Sequence, residues 1–125
     1  MVRLQHVSLP IPSGAQDEGR AFYSGVLGLE EKPPPAVLVP TGVVWFAAGE
    51  PELEIHLVPD PQGLTPVARR HFCLQVDDLE AARARIEGSG VETSGAAEIP
   101  NRPRFFCRDP FGNLIEVLAV EGPYR

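Results

Sequence analysis

Residues 69–86 read RRHFCLQVDDLEAARARI, and the side-chain order in this stretch decides the fold. From Arg70 to Val76, Phe72, Leu74 and Val76 fall on one face and His71, Cys73 and Gln75 on the other, the two-residue period of a half-buried strand. Asp77 or Asp78 can cap a helix over Leu79–Glu87, which Gly88 and Gly90 end. The same order occurs near the N-terminus. Val7, Leu9 and Ile11 alternate with His6, Ser8 and Pro10, and Pro12, Ser13 and Gly14 make a turn. Ala15–Leu27 then reads as a helix with Ala21, Phe22, Val26 and Leu27 near one face, stopped by Gly28.

Short strands are expected after each helix. In the first half they are Val37–Val39, Val43–Ala48 and Glu52–Val58, following a loop at Pro33, Pro34 and Pro35, which fit neither a helix interior nor a central strand. In the second half they are Val91–Thr93, Arg104–Arg108 and Asn113–Val120, the last two joined by a turn at Asp109-Pro110-Phe111-Gly112. Overlaying His6-Val7-Ser8-Leu9 on His71-Phe72-Cys73-Leu74 offsets the halves by 65 residues, and overlaying Ile55-His56-Leu57 on Ile115-Glu116-Val117 offsets them by 60. The chain therefore reads as a duplicated βαβββ unit of α+β class. Module one spans 1–58, a linker 59–68, and module two 69–125, all within a single domain.

Composition narrows the functions. A chain of 125 residues is one domain's worth. Eleven Lys and Arg against 17 Asp and Glu, a net charge of −6, leave little positive charge for a phosphate backbone or an anionic membrane. Nucleic acid and membrane are not expected partners. The apolar runs are far too short to span a bilayer and the N-terminus lacks a signal-peptide core, so a cytoplasmic protein is expected. Cys73 and Cys107 give no disulfide framework and are expected as free thiols. Fourteen prolines and 12 glycines approach the share found in disordered segments. Here they fall between patterned apolar runs, as punctuation.

Four polar groups occupy matching places: His6 and His71 on the first strand of each half, His56 and Glu116 on the last. Their immediate neighbours are apolar: Val7, Ile55 and Leu57, Phe72, and Ile115 and Val117. These should pack beneath the helices and leave the four groups on the opposite face. A lone strand histidine is ordinarily a surface or hydrogen-bonded residue, but all three histidines of the chain share this parity. If the halves pack about a pseudo-twofold axis, three imidazoles and a carboxylate converge, a set that suits Ni, Zn, Fe, Mn or Co better than Ca or Mg. Glu54 shares the parity of His56 and could substitute as ligand or base, although a solvated position near the strand's start is the plainer expectation. Ser8, Cys73 and Gln75 should line the cleft floor. Trp45 and Phe46 face opposite ways, one toward the cleft. Arg102, Arg104 and Arg108 flank the seventh strand, and Arg104 is a candidate for a substrate carboxylate. No partner is evident that would lower the Cys73 pKa, so it is not expected to be a nucleophile.

The segments HVSLPIP, FYSGVLGLEE, ELEIHLV, RRHFCLQVDDLEAARARI and DPFGNLIEVL resemble those of the vicinal oxygen chelate superfamily. That superfamily includes glyoxalase I, fosfomycin-modifying enzymes, extradiol dioxygenases, methylmalonyl-CoA epimerase and bleomycin-resistance proteins. The resemblance covers essentially the whole chain and implies two βαβββ modules forming a curved, barrel-like mixed sheet around a cleft. It also implies a homodimer, a divalent metal ion, a small-molecule substrate and metal ligands at His6, His56, His71 and Glu116. Bacterial glyoxalase I commonly has a glutamate where His56 stands. A dioxygenase set would fall on His6, His71 and Glu116, though those enzymes usually carry four modules. Bleomycin-resistance proteins generally lack the ligands, so their presence here argues against simple drug sequestration. A four-ligand site leaves two adjacent positions for vicinal oxygens of a substrate, with Glu116 the best candidate base for lyase or isomerase chemistry. A three-ligand site would also leave room for dioxygen.

Overall fold

A computed structural model describes residues 3–61 and 71–123. The chain divides into two compact units, Met1–Thr65 and Pro66–Arg125, each with one four-stranded mixed sheet. Residues 62–68 of the expected linker, and the expected strand start at Arg70, lie outside the described residues.

Unit one contains β1 (His6–Ile11), β2 (Glu30–Lys32), β3 (Val44–Gly49) and β4 (Leu53–Pro59) in the order β1-β4-β3-β2. Unit two contains β5 (His71–Gln75), β6 (Thr93–Ser94), β7 (Arg104–Arg108) and β8 (Leu114–Leu118) in the order β5-β8-β7-β6. The first strand of each unit runs parallel to the last, and the remaining pairings are antiparallel.

The two sheets repeat at the level of register. Ser8 pairs with His56, and Trp45 pairs with His56. In unit two Cys73 pairs with Glu116, and Phe106 pairs with Glu116. Paired residues share a face, so His6, Ser8, Trp45 and His56 correspond to His71, Cys73, Phe106 and Glu116. This is the duplication expected from the 65- and 60-residue offsets.

The other face is the core of each unit. Phe46 and Leu57 are 0% exposed and Ile55 is 2% exposed, and Tyr23 packs on them with its ring 5.5 Å from that of Phe46. Burial of each such side chain favours folding by about 1.5–3 kcal/mol. In unit two the face carries Phe105, Ile115 and Val117, all buried. Helix α2 (Leu79–Gly88) covers it with buried Ile86, and Arg83 lies over the Phe105 ring at 5.5 Å. Asp78 caps α2 by accepting from the Ala81 amide at 3.0 Å, the role expected of Asp77 or Asp78.

Two expectations along unit one are corrected. The helix is α-helical only over Gln16–Arg20 (α1) and continues as a π-helix over Ala21–Val26, with the Leu27 amide bonded to the Phe22 carbonyl five residues back. The wider turn re-phases the apolar face, so Phe22 and Tyr23 are buried and Ala21 is exposed. Gly28, at φ 80°, lets the Leu29 amide reach back to the Tyr23 carbonyl and closes the helix. Val37–Val39 is not a strand but part of a 3-10 helix over Ala36–Thr41, exposed at Val37 and Val39. The strand preceding β3 is Glu30–Lys32, which pairs with β3 ahead of the three prolines. Having no apolar side chain, it offers no alternation to read. In unit two the strand expected at Val91–Thr93 lies at Thr93–Ser94.

The turn between β7 and β8 is organised by Asp109, 5% exposed. Its side chain accepts from the Phe111 amide at 2.9 Å, the Asn113 amide at 2.8 Å and Asn113 Nδ2 at 2.7 Å, while Gly112 takes φ 89°. Asp109→Ala leaves two backbone donors without their acceptor and is expected to cost about 2–3 kcal/mol in urea unfolding. A loss below about 0.5 kcal/mol would show that the hairpin does not depend on it.

Candidate functional site

On the helix-distal face of unit one, three rings form a stack. The Trp45 and His56 rings lie 3.9 Å apart at 4°, and His56 and His6 lie 4.3 Å apart at 17°. Trp45 is thus the residue that faces this side, and Phe46 the core. The stack borders a groove of about 690 Å³ that reaches Lys32, Pro33, Pro34 and Pro35.

Hydrogen bonds fix the two imidazoles differently. Gln5 Nε2 donates to the Glu52 carbonyl, which turns Gln5 Oε1 toward His6 Nδ1 at 2.5 Å. An amide oxygen only accepts, so His6 carries its proton on Nδ1 and its lone pair on Nε2. His56 Nε2 instead lies 2.8 Å from Glu54 Oε1, and Lys32 Nζ donates to Glu54 Oε2. Glu54 is 3% exposed, so it is not solvated as its place near the strand's start suggested. The Lys32 ammonium first, and His56 second, hold its carboxyl below the ordinary carboxylate range against the opposing effect of burial. As an ionised acceptor it requires the His56 proton on Nε2.

A depressed carboxyl contributes stability that is fully present above its unfolded pKa and is lost as pH falls through the folded value. The wild type is therefore expected to lose stability below about pH 4.3 more steeply than Glu54→Leu, read as urea midpoints across pH 3–6. Parallel profiles would remove Glu54 from that role.

Unit two places His71, Glu116 and Arg104 together. His71 Nε2 is 3.2 Å from Glu116 Oε1, and Arg104 Nη1 is 3.5 Å from Glu116 Oε2. Arg104 also donates from Nη2 to the Ala97 carbonyl at 3.0 Å and lies over the Phe106 ring at 5.6 Å. Phe106 in turn meets the His71 ring edge-on at 5.4 Å. Arg104, a candidate for a substrate carboxylate, is thus set against Glu116. Arg102 and Arg108 donate to the Gly122 and Gly112 carbonyls. Cys73 stands beside Glu116 by register. Although part of the residue is solvent-exposed, its thiol is pushed up to about 11, by desolvation first and the Glu116 carboxylate second, in keeping with an inert thiol. Ser8 and Gln75 are exposed on the same faces, Gln75 paired with Leu118 at the end of β8.

Among the described residues, no group of three or more His, Cys, Asp or Glu side chains is assembled to hold a metal ion. The donors occur as pairs, His56 with Glu54 in unit one and His71 with Glu116 in unit two. Two ligand atoms each about 2.1 Å from an ion and at right angles lie about 3 Å apart, close to the 3.2 Å of His71 Nε2 and Glu116 Oε1. His6, with its lone pair on Nε2 and its other nitrogen donating, has the usual state of a metal-ligating imidazole. The His56 Nε2–Glu54 Oε1 spacing of 2.8 Å is as close to that ligand-to-ligand spacing, and Lys32 bonds the second oxygen of Glu54. Lys32, Glu54, Gln5 and Phe106 complete these clusters. Glu54 shares the His56 parity, Gln5 lies next to His6, and Phe106 is the counterpart of Trp45. Lys32 lies on the one strand that lacked a pattern.

The family model for a glyoxalase-like domain matches residues 13–118. A crystal structure assigned to the glyoxalase family, from Bacillus anthracis, is 32% identical with a TM-score of 0.88 over 96% of each chain. The chain belongs to the glyoxalase-like family, within the vicinal oxygen chelate superfamily. An antibiotic binding protein from Streptomyces shares the fold at 24% identity and a TM-score of 0.74, over 96% of this chain and 97% of that one. So does a lactoylglutathione lyase from Agrobacterium tumefaciens at 22% identity and 0.69, over 94% of this chain and 92% of that one. No curated protein matches the chain. Among the described residues, no helix is long and apolar enough to cross a membrane.

Proposed function

We propose that the chain is a metal-dependent enzyme that takes a small molecule through two neighbouring oxygens and moves a proton between adjacent carbons, as a lyase or isomerase. The observation that carries this reading is the His71–Glu116 pair, spaced at 3.2 Å and matched in register by the strand positions of His6 and His56. His6, His71 and Glu116 are the proposed ligands, with His56 the fourth member of the set the resemblance implies. A homodimer belongs to the same proposal. An ion of the Ni, Zn, Fe, Mn or Co group, if held by these residues, would supply Lewis acidity to the paired oxygens.

The protein's own part is binding and proton transfer. Glu116 is the one carboxylate of the set and serves as the base. Arg104 faces its Oε2 and orients it, while His71 faces Oε1. In unit one, Trp45 is the proposed apolar contact for substrate, beside the groove that Pro33, Pro34 and Pro35 line.

A second reading, a ring-cleaving dioxygenase, is favoured by the engagement of His56 with Glu54, which leaves two histidines and one carboxylate. Iron content and oxygen uptake with catechols separate the two.

The test is metal analysis of protein purified after metal-replete expression. The wild type is expected to hold about one equivalent, and His71→Ala to retain less than about a tenth of it. A metal-free wild type would overturn the proposal. Tight antibiotic binding that survives chelator treatment would move the chain toward a sequestering role.

A further inference from the structure

The groove of unit one is lined by one ammonium, Lys32, and two carboxylates, Glu52 and Glu54. Glu54 is engaged at both oxygens, Oε1 by His56 and Oε2 by Lys32, so the ammonium and this buried carboxylate offset each other. Glu52 is left over. Among the described residues its carboxylate enters no hydrogen bond or ion pair. Its backbone is nonetheless held: Glu52 takes φ 55°, a left-handed conformation that a side chain disfavours. Gln5 Nε2 donates to the Glu52 carbonyl, and the Gln5 carbonyl accepts from the Glu54 amide at 2.9 Å. The turn that carries Glu52 is thus tied from both sides to the residue preceding β1, with an unpaired negative charge at the groove.

The surrounding charge has the same sign. Residues 3–61 contain eight Asp and Glu against three Lys and Arg, and of those three Arg20 and Lys32 are bound to carboxylates. An anion entering this groove would meet repulsion and no free cation, whereas a cation would find Glu52 open to it. The rest of the lining is of another kind. Trp45, Pro33, Pro34 and Pro35 give the groove an apolar wall, and its volume of about 690 Å³ is that of a site for a molecule larger than a simple ion.

We propose that the groove of unit one takes an organic amine: a molecule with an apolar, ring-bearing body that lies against Trp45 and the prolines, and an ammonium group that Glu52 receives. Glu52 is then the residue that selects the charge of the bound molecule. The proposal rests on the reading above for the place of the body at Trp45, and deepens it by naming the class of molecule.

Trp45 is the single tryptophan of the chain, so its emission reports on the groove directly. The full chain, stripped of metal, is titrated with three probes of one shape and different charge: phenylbutylamine, phenylbutanol and phenylpentanoate. The amine is expected to give a saturable change and the acid to bind at least about tenfold more weakly, with the alcohol between them. Glu52→Gln is expected to weaken the amine about threefold to fivefold, the size of an exposed charge pair, and Glu52→Lys to turn the preference toward the acid. Alcohol binding within about twofold of wild type shows that both variants keep the groove intact. Equal binding of amine and acid by the wild type, amine binding unchanged in both Glu52 variants, or no response of Trp45 to any probe would overturn the proposal. Metal content is measured apart from these titrations: amine selection by a chain that takes up no metal supports the groove assignment and removes the metal-dependent reading alone.

Discussion

Glu116→Gln is expected to keep most of the bound metal and to lose turnover by more than about a hundredfold, the range over which a positioned base contributes. The amide is nearly isosteric with the carboxylate and its oxygen can still face His71, so binding of an ion should survive in large part. It cannot take up a proton at neutral pH. Arg104 Nη1, 3.5 Å from Glu116 Oε2, loses the charge it faces, and the outer oxygen loses its orientation. The measurement is solvent deuterium exchange, followed by proton NMR, at carbons next to the carbonyl of small oxo- and hydroxycarbonyl compounds. Wild-type exchange with at least one compound, and its collapse in the variant, is the expected pattern. Equal exchange in both proteins would take the proton away from Glu116.

Phe46→Ala is expected to destabilise the protein by about 3–5 kcal/mol in urea, the cost of emptying a buried aromatic site that closes only in part. Phe46 is 0% exposed and lies 5.5 Å from the Tyr23 ring, so the void would open between helix and sheet. The adjacent Trp45 faces the other way. Trp45→Ala is expected to cost less than about 1.5 kcal/mol, while releasing one face of the His56 ring. Similar losses in the two variants would contradict the division of this sheet into a packed face and a binding face.

Much of this division can be read in the chain. Alternation around His6, His56, His71 and Glu116 places all four opposite the apolar side chains, and the duplicated offsets reappear as equivalent register positions. Asp109-Pro110-Phe111-Gly112 forms its turn from local chemistry: Pro110 restricts the backbone, Gly112 is free to take its φ of 89°, and the Asp109 carboxylate bonds amides within four residues. What escapes the chain is set by tertiary contact. Glu30-Glu31-Lys32 has no apolar member, so only its ladder with β3 makes it a strand. Val37 and Val39 have β-branched side chains, but Pro35 and Pro40 bracket them and the segment winds into a 3-10 helix. The π-helical turn shifts burial from Ala21 to Tyr23, a change of phase that a strict helical period cannot express. In the site, ligand-type residues are visible from parity, whereas the Lys32–Glu54–His56 chain is not, since it depends on β2 lying beside β3.

That short strand also settles how the sheet of unit one ends. β2 is an outer strand, and its neighbours hold two of its side chains: Glu31 accepts from Arg20 Nε at 3.0 Å, and Lys32 donates to Glu54. A foreign strand approaching this edge would find only three residues of ladder and would have to strip water from Glu30 and strain the attachments of the other two. Such an edge is a poor template for growth. The same charges that hold β2 in the fold therefore protect this edge of the sheet against strand-by-strand aggregation, a property that belongs to proteostasis rather than to the chemistry of the site.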